Sequence, residues 1–166
     1  MSNVIDESGI LAIATRLQRL SDTFRKDGQL IYKSFGHDFE PKWFPVVYTL
    51  DIKSQLSVVE IANEIGYTHP STISLLKELE KLKIIHSKKD KSDERKRLIS
   101  LTEKGKELVA AIKPIWDLLR KTQIEILDTK NNLMKAIEEV EEQLKISSFY
   151  DRAEKNKSLM GQKSSD

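Results

Sequence analysis

Apolar side chains recur at Ile10, Ile13, Ala14, Leu17, Leu20 and Phe24. This is the i, i+3, i+4, i+7 spacing of an amphipathic helix, and the pattern predicts one over residues 10–35. Leu30, Ile31 and Phe35 extend its apolar content, and Gly36 is placed to stop it. A Pro- and aromatic-rich connection follows at residues 38–45, then a short helix to about Ile52 with Val46, Val47 and Leu50 inward. Pro45 suits its first turn, where a missing N–H costs nothing.

The next stretch changes period twice. Ser57 and Glu60 stand at capping-box spacing ahead of Ile61, Ala62 and Ile65, and Gly66 closes that helix. Thr68 caps a second helix with Pro70 in its first turn, and Leu75, Leu76, Leu79 and Leu82 form its apolar side. Residues 84–88 and 98–101 read as short strands on either side of the charged loop 89–97. Thr102 is an N-cap, and Glu103 suits the positive end of the long helix that follows. Leu108, Ala111, Ile112, Ile115, Trp116 and Leu119 are its expected stripe. A last helix over about 131–145 carries Leu133, Ile137, Val140 and Leu144, and the chain then turns polar.

Helix, tight turn, helix, strand, basic loop, strand is the order of a winged helix–turn–helix, which places its second helix in a DNA major groove. The expected fold is mainly α with a small β-wing. It is one domain over 1–166, with a winged helix–turn–helix unit at 40–105 and helices at 8–36 and 106–150 for dimerisation. A flexible tail is expected at 154–166. The stripes outside the winged unit exceed what that unit can cover, so a homodimer is expected.

Composition narrows the chemistry. The 166 residues are 39% hydrophobic and 33% charged, with no cysteine. Disulfides, thiolate metal sites and thiol redox sensing are therefore excluded. The start MSNVIDESG has no basic n-region and no apolar run reaches membrane-spanning length, so a cytoplasmic protein with no membrane partner is expected. His37, His69 and His86 stand in no ligand spacing, and neither a glycine-rich phosphate loop nor a nucleophile elbow occurs. No catalytic residue, metal or cofactor is expected.

The net charge of +2 is small but unevenly spread. Residues 84–106 hold eight Lys or Arg against four acids, whereas residues 123–142 hold six acids against two Lys. A basic loop set against an acidic helix suits one face turned to a polyanion. Candidate double-stranded DNA contacts on the second helix are His69, Ser71, Thr72, Ser74 and Lys77. Short hydroxyls let a backbone approach base edges, and a lysine neutralises a phosphate. In the loop, the candidates are Lys89, Lys91, Asp93 and Arg95. Arg95 suits insertion into a narrowed minor groove, with Asp93 holding it. The aromatic connection suggests a small-molecule pocket built from Arg25, His37, Trp43, Phe44 and Tyr48, against the plainer reading that these rings pack a junction.

The chain resembles the MarR family of bacterial transcription regulators. The resemblance rests on Leu56-Ser57, Ile61-Ala62, Ile65-Gly66, Pro70-Ser71-Thr72, Ser74 and Leu79-Glu80. Its most specific part is Asp93-Glu94-Arg95 followed by Leu98-Ile99-Ser100-Leu101-Thr102-Glu103-Lys104-Gly105. It covers roughly residues 10–146. It implies a homodimer with interlocked terminal helices, a recognition helix in the major groove at residues 70–77, and Arg95 in the minor groove supported by Asp93. Many members release DNA on binding small aromatic or anionic molecules. One departure is Lys83, where relatives commonly carry glycine. The leading expectation is a repressor of a pseudo-palindromic operator. The alternative is a winged-helix module for protein–protein contact that does not bind DNA.

Overall fold

The computed structural model describes residues 3–90 and 96–162. The chain divides into two compact units, Met1–Leu118 and Leu119–Asp166.

In the first unit, a short helix α1 (Val4–Glu7) and a 3-10 turn (Gly9–Ala12) precede α2 (Ile13–Ser34). Gly36, at φ 77°, ends the helical stretch as its position predicts. A 3-10 turn (Pro41–Trp43) leads into α3 (Phe44–Lys53). Then come β1 (Gln55–Ser57), α4 (Val58–Ile65), α5 (His69–Lys81), β2 (Ile85–Lys89), β3 (Arg97–Leu101) and α6 (Glu103–Leu127), whose residues from Leu119 on belong to the second unit.

The sheet is antiparallel in the order β1-β3-β2. Cross-strand partners share a face, so the register sorts the side chains. Leu56, Ile99 and Ser87 align on one face, and Gln55, Ser100 and His86 align on the other. Ile85, Ile99 and Leu101 are buried on the core side of the wing. The hydrophobic pattern does not predict β1. It has three residues, too few to show alternation, and exists through its pairing with β3.

The core joins Val46, Val47 and Leu50 of α3, Ile61 of α4, Leu79 of α5, and Val109, Ile112 and Ile115 of α6. The inner stripe of α6 differs from the expected one. Ile112, Ile115 and Trp116 face inward as expected and are joined by Gly105 and Val109, while Ala111 is exposed and Leu108 half-buried. Leu82 is likewise half-exposed, because α5 has ended before it.

Beside this core lies an aromatic cluster. Tyr32 packs on Phe39 with ring centroids 4.8 Å apart, and Phe39 meets Trp43 edge-on at 5.6 Å. Trp116 Nε1 donates to the Tyr32 hydroxyl at 2.9 Å in a buried setting.

The second unit contains α7 (Leu133–Ile146), capped by Asn132, and α8 (Phe149–Gln162). The expected flexible tail is thus helical as far as Gln162. Ser148 explains its start: its hydroxyl accepts from the Asp151 amide at 3.1 Å and donates to the Asp151 carboxylate at 2.6 Å. No residue of α7 is buried, and Val140, Ile146, Phe149, Tyr150 and Met160 are exposed.

Candidate nucleic-acid interface

Local chemistry sets both helices of the turn. Ser57 Oγ accepts from the Glu60 amide at 3.3 Å, and the Ser57 amide donates to Glu60 Oε2 at 2.7 Å, so the capping box is complete. These bonds, the Ser57 amide first, hold the Glu60 carboxyl below its ordinary range. Gly66 closes α4 in the left-handed region at φ 69°. Thr68 then caps α5, its Oγ1 accepting from the Ser71 amide at 3.4 Å, with Pro70 in the first turn.

The inner face of α5 is Thr72, Leu75, Leu76 and Leu79. Thr72 therefore does not belong to the exposed face where the sequence reading puts it. It is fully buried, and its hydroxyl donates to the Thr68 carbonyl at 3.1 Å. His69, Ser71, Ser74 and Lys77 lie outside that inner face, and all four are exposed.

These residues make α5 a ridge between two clefts. On one side His69 and Ile73 face Ser57, Glu60, Lys96 and Arg97 across about 470 Å³. On the other, Ser71, Ser74 and Glu78 face Arg25 and Lys42 across about 610 Å³, with Gly66, Tyr67 and Thr68 also lining the space. Glu78 Oε1 accepts from Lys42 Nζ at 2.8 Å and from Trp43 Nε1 at 3.0 Å. Lys42 also pairs with Glu40 at 3.0 Å. The Lys42 hydrogen bond, helped by that of Trp43, holds the Glu78 carboxyl below its usual range, and Glu78 ahead of Glu40 raises Lys42.

The far end of α5 is held in a defined way. The Ile84 amide donates to the Leu79 carbonyl at 3.0 Å and the Lys83 amide to the Glu80 carbonyl at 2.9 Å. This is the Schellman pattern, with its left-handed residue at Lys83, φ 59°. A lysine thus takes the conformation for which glycine is favoured. The segment 102–105 reaches back over this exit. Thr102 Oγ1 donates to the Lys83 carbonyl at 2.6 Å, the Thr102 amide to the Ile84 carbonyl at 3.0 Å, and Lys104 Nζ to the Leu82 carbonyl at 2.9 Å. Thr102 Oγ1 also accepts from the Gly105 amide at 3.0 Å, capping α6.

In the wing, Lys89 pairs with Arg97, and the Asp90 amide donates to the Lys96 carbonyl at 3.0 Å. Lys91, Asp93 and Arg95 lie outside the described residues.

The five residues suggested for a ligand pocket have these surroundings. Trp43 is buried beside Phe39 with its N–H on Glu78. Phe44 and Tyr48 stack at 5.1 Å, and both meet Trp116 edge-on, at 5.4 and 5.5 Å. Arg25 lines the cleft beside α5. His37 is half-buried after α2, its amide donating to the Tyr32 carbonyl at 3.0 Å.

Sequence reasoning does not single out Lys42, Glu78, Lys96 or Arg97 for the interface. For Lys96 and Arg97 the charge run is the available signal. For Glu78 it is the i, i+4 spacing from Ser74. Among the described residues, no group of three or more His, Asp or Glu is placed to hold a metal ion. No helix among them is long and apolar enough to cross a membrane.

No protein-family model matches the sequence, and no curated protein sequence matches it. Solved structures do. The Staphylococcus aureus MepR–DNA complex is 22% identical, covering 80% of this chain and 96% of MepR, with a TM-score of 0.66. The transcriptional repressor CouR, bound to a 23-mer DNA duplex, is 23% identical over 80% of this chain and 95% of its own, at 0.64. The PcaV transcriptional regulator of Streptomyces coelicolor, in complex with its natural ligand, is 13% identical over 89% and 99%, also at 0.64. The chain has the winged helix–turn–helix fold of these MarR-type regulators.

Proposed function

We propose that this chain, built on the winged-helix fold of the MarR-type regulators, is a sequence-specific DNA-binding transcription regulator rather than an enzyme. It acts as a homodimeric repressor on a pseudo-palindromic operator. The observation that carries the reading is the α5 ridge, whose His69, Ser71, Ser74 and Lys77 stand off the core between two clefts that each contain two basic side chains. Such a ridge matches a major groove, and the cations match its phosphate walls.

Unburied apolar side chains support the dimer. Ile10 and Leu11 are 80% and 87% exposed, and Phe149 is 80% exposed. Apolar surface of this extent marks an interaction site. A second copy would cover it and supply the two-fold symmetry of an operator with half-sites about 10 bp apart. The regulators of this fold solved on DNA support the same reading, and the one solved with its natural ligand supports release by a small-molecule effector.

The test is selection of bound sequences from a random DNA pool, followed by shift assays on the selected and scrambled duplexes. A two-fold sequence should emerge and bind the dimer far more tightly than its scramble. Equal binding to both, or none, would refute the proposal. Aromatic acids that weaken binding should also bind the free protein, since the coupling is reciprocal.

A further inference from the structure

An α-helix with its side chains is about 10–12 Å across, close to the roughly 12 Å width of the major groove. A helix entering that groove therefore brings a phosphate strand over the surface on each of its sides. On the wing side of α5 the chain offers Lys96 and Arg97. The opposite side carries Glu78, a carboxylate half-exposed beside Ser71 and Ser74. Unopposed, it would repel a phosphate there.

Two features of this second cleft reverse that effect. Both Lys42 Nζ and Trp43 Nε1 converge on the same Glu78 oxygen, at 2.8 and 3.0 Å. The Glu78 charge is thereby offset in place by Lys42, a cation that Glu40 also engages. Arg25 reaches the same cleft from α2, is exposed, and makes no ion pair among the described residues. Thr68, Ser71 and Ser74 also line the space, together with Gly66, Tyr67 and Leu75.

We propose that this cleft seats a DNA phosphodiester. Arg25 contacts the phosphate, and Lys42 is a positioning residue that keeps Glu78 from repelling it. The inference rests on the DNA-binding reading and adds to it a contact from α2, outside the helix–turn–helix and the wing. A guanidinium suits the role, since its fork of N–H donors matches phosphate oxygens.

The experiment is an anisotropy titration of the full-length protein on its selected duplex and a scrambled one, over a range of salt. Arg25→Ala should weaken both duplexes alike, by about five- to twentyfold at low salt. It should also reduce the salt slope by about 0.9 for each phosphate that is no longer neutralised. Lys42→Ala should weaken both duplexes as well. Adding Glu78→Gln to Lys42→Ala should restore most of the affinity, because the amide oxygen still accepts from Trp43 while the negative charge is gone. A merely structural role for Lys42 would give no such rescue. An unchanged slope and affinity for Arg25→Ala, alongside weakened binding by Lys77→Ala, overturns this inference and leaves the DNA-binding reading intact. Inorganic phosphate at constant ionic strength distinguishes the sources of the anion. If it displaces DNA from the wild type while Arg25→Ala keeps the wild-type slope, the cleft holds a free anion and the inference fails. A wild-type chain that binds neither duplex refutes both readings together.

Discussion

Gly105 sits directly against the Ile84 carbonyl, so close that a β-carbon at residue 105 would overlap its oxygen. The obstacle is backbone, and that backbone is fixed at both ends. Ile84 closes the Schellman turn of α5 through its amide, and its carbonyl accepts from the Thr102 amide. Gly105→Ala should therefore destabilise the fold by about 2–3 kcal/mol, the cost of overpacking where nothing can yield. Thr102→Val, which removes the cap and the bond to Lys83, should cost about 1–2 kcal/mol. Thermal unfolding of the two variants checks both values.

Lys83 offers the opposite experiment. A residue with a β-carbon is disfavoured by about 1–2 kcal/mol in the left-handed region, and glycine there loses part of that gain to the entropy of its unfolded chain. Lys83→Gly should raise stability by about 0.5 kcal/mol, and Lys83→Val should lower it by more than that. The urea midpoint should move in these directions at constant m-value.

The buried position of Thr72 separates two kinds of substitution on α5. Lys77→Ala should weaken selected and scrambled DNA alike and lower the salt slope by about 0.9. Ser74→Ala should change base preference more than overall affinity. Thr72→Val should act on neither directly, and its effect should appear in unfolding, because it removes the bond to the Thr68 carbonyl. Repeating the sequence selection with each variant distinguishes the three.

Burial pushes the Tyr32 phenol up from 10.0 to about 12, against the hydrogen bond from Trp116. The folded value exceeds the unfolded one, so the stabilisation tied to the neutral phenol is complete below about pH 10. It is lost as pH rises through about 12. Tyr32→Phe leaves the buried Trp116 N–H without its acceptor and should cost about 1–3 kcal/mol at neutral pH. The difference between wild type and variant should shrink above about pH 10, as read by denaturant unfolding at each pH.

Features set by short-range chemistry are legible in the sequence. The Ser57–Glu60 box, the left-handed Gly66 and the Thr68 cap depend on neighbours three or four residues away. The rotation of α5 against the core is set by long-range packing. Even so, Leu75, Leu76 and Leu79 extended back by three or four positions reach Thr72, so its burial is readable. A polar residue on an apolar stripe reads as exposed unless its hydroxyl is satisfied locally, as it is here by the Thr68 carbonyl. β1 leaves no pattern, since a three-residue strand exists only through its partner. The Glu78 cluster is hidden for a similar reason: Trp43, next to Lys42, lies 35 residues from Glu78, and the three meet only in the folded chain.

Ser57 is both the last residue of β1 and the cap of α4, and Thr102 follows β3 directly and caps α6. No linker separates the sheet from either helix. Sheet, α4 and the start of α6 therefore share anchor points of a single residue each, and α5 is tied to the same frame through the carbonyls of Leu82, Lys83 and Ile84. Such a frame has no slack with which to tilt one reading element alone. A twist applied to the first turns of α6 must be delivered to ridge and wing together, as torque on a stiff shaft turns everything keyed to it.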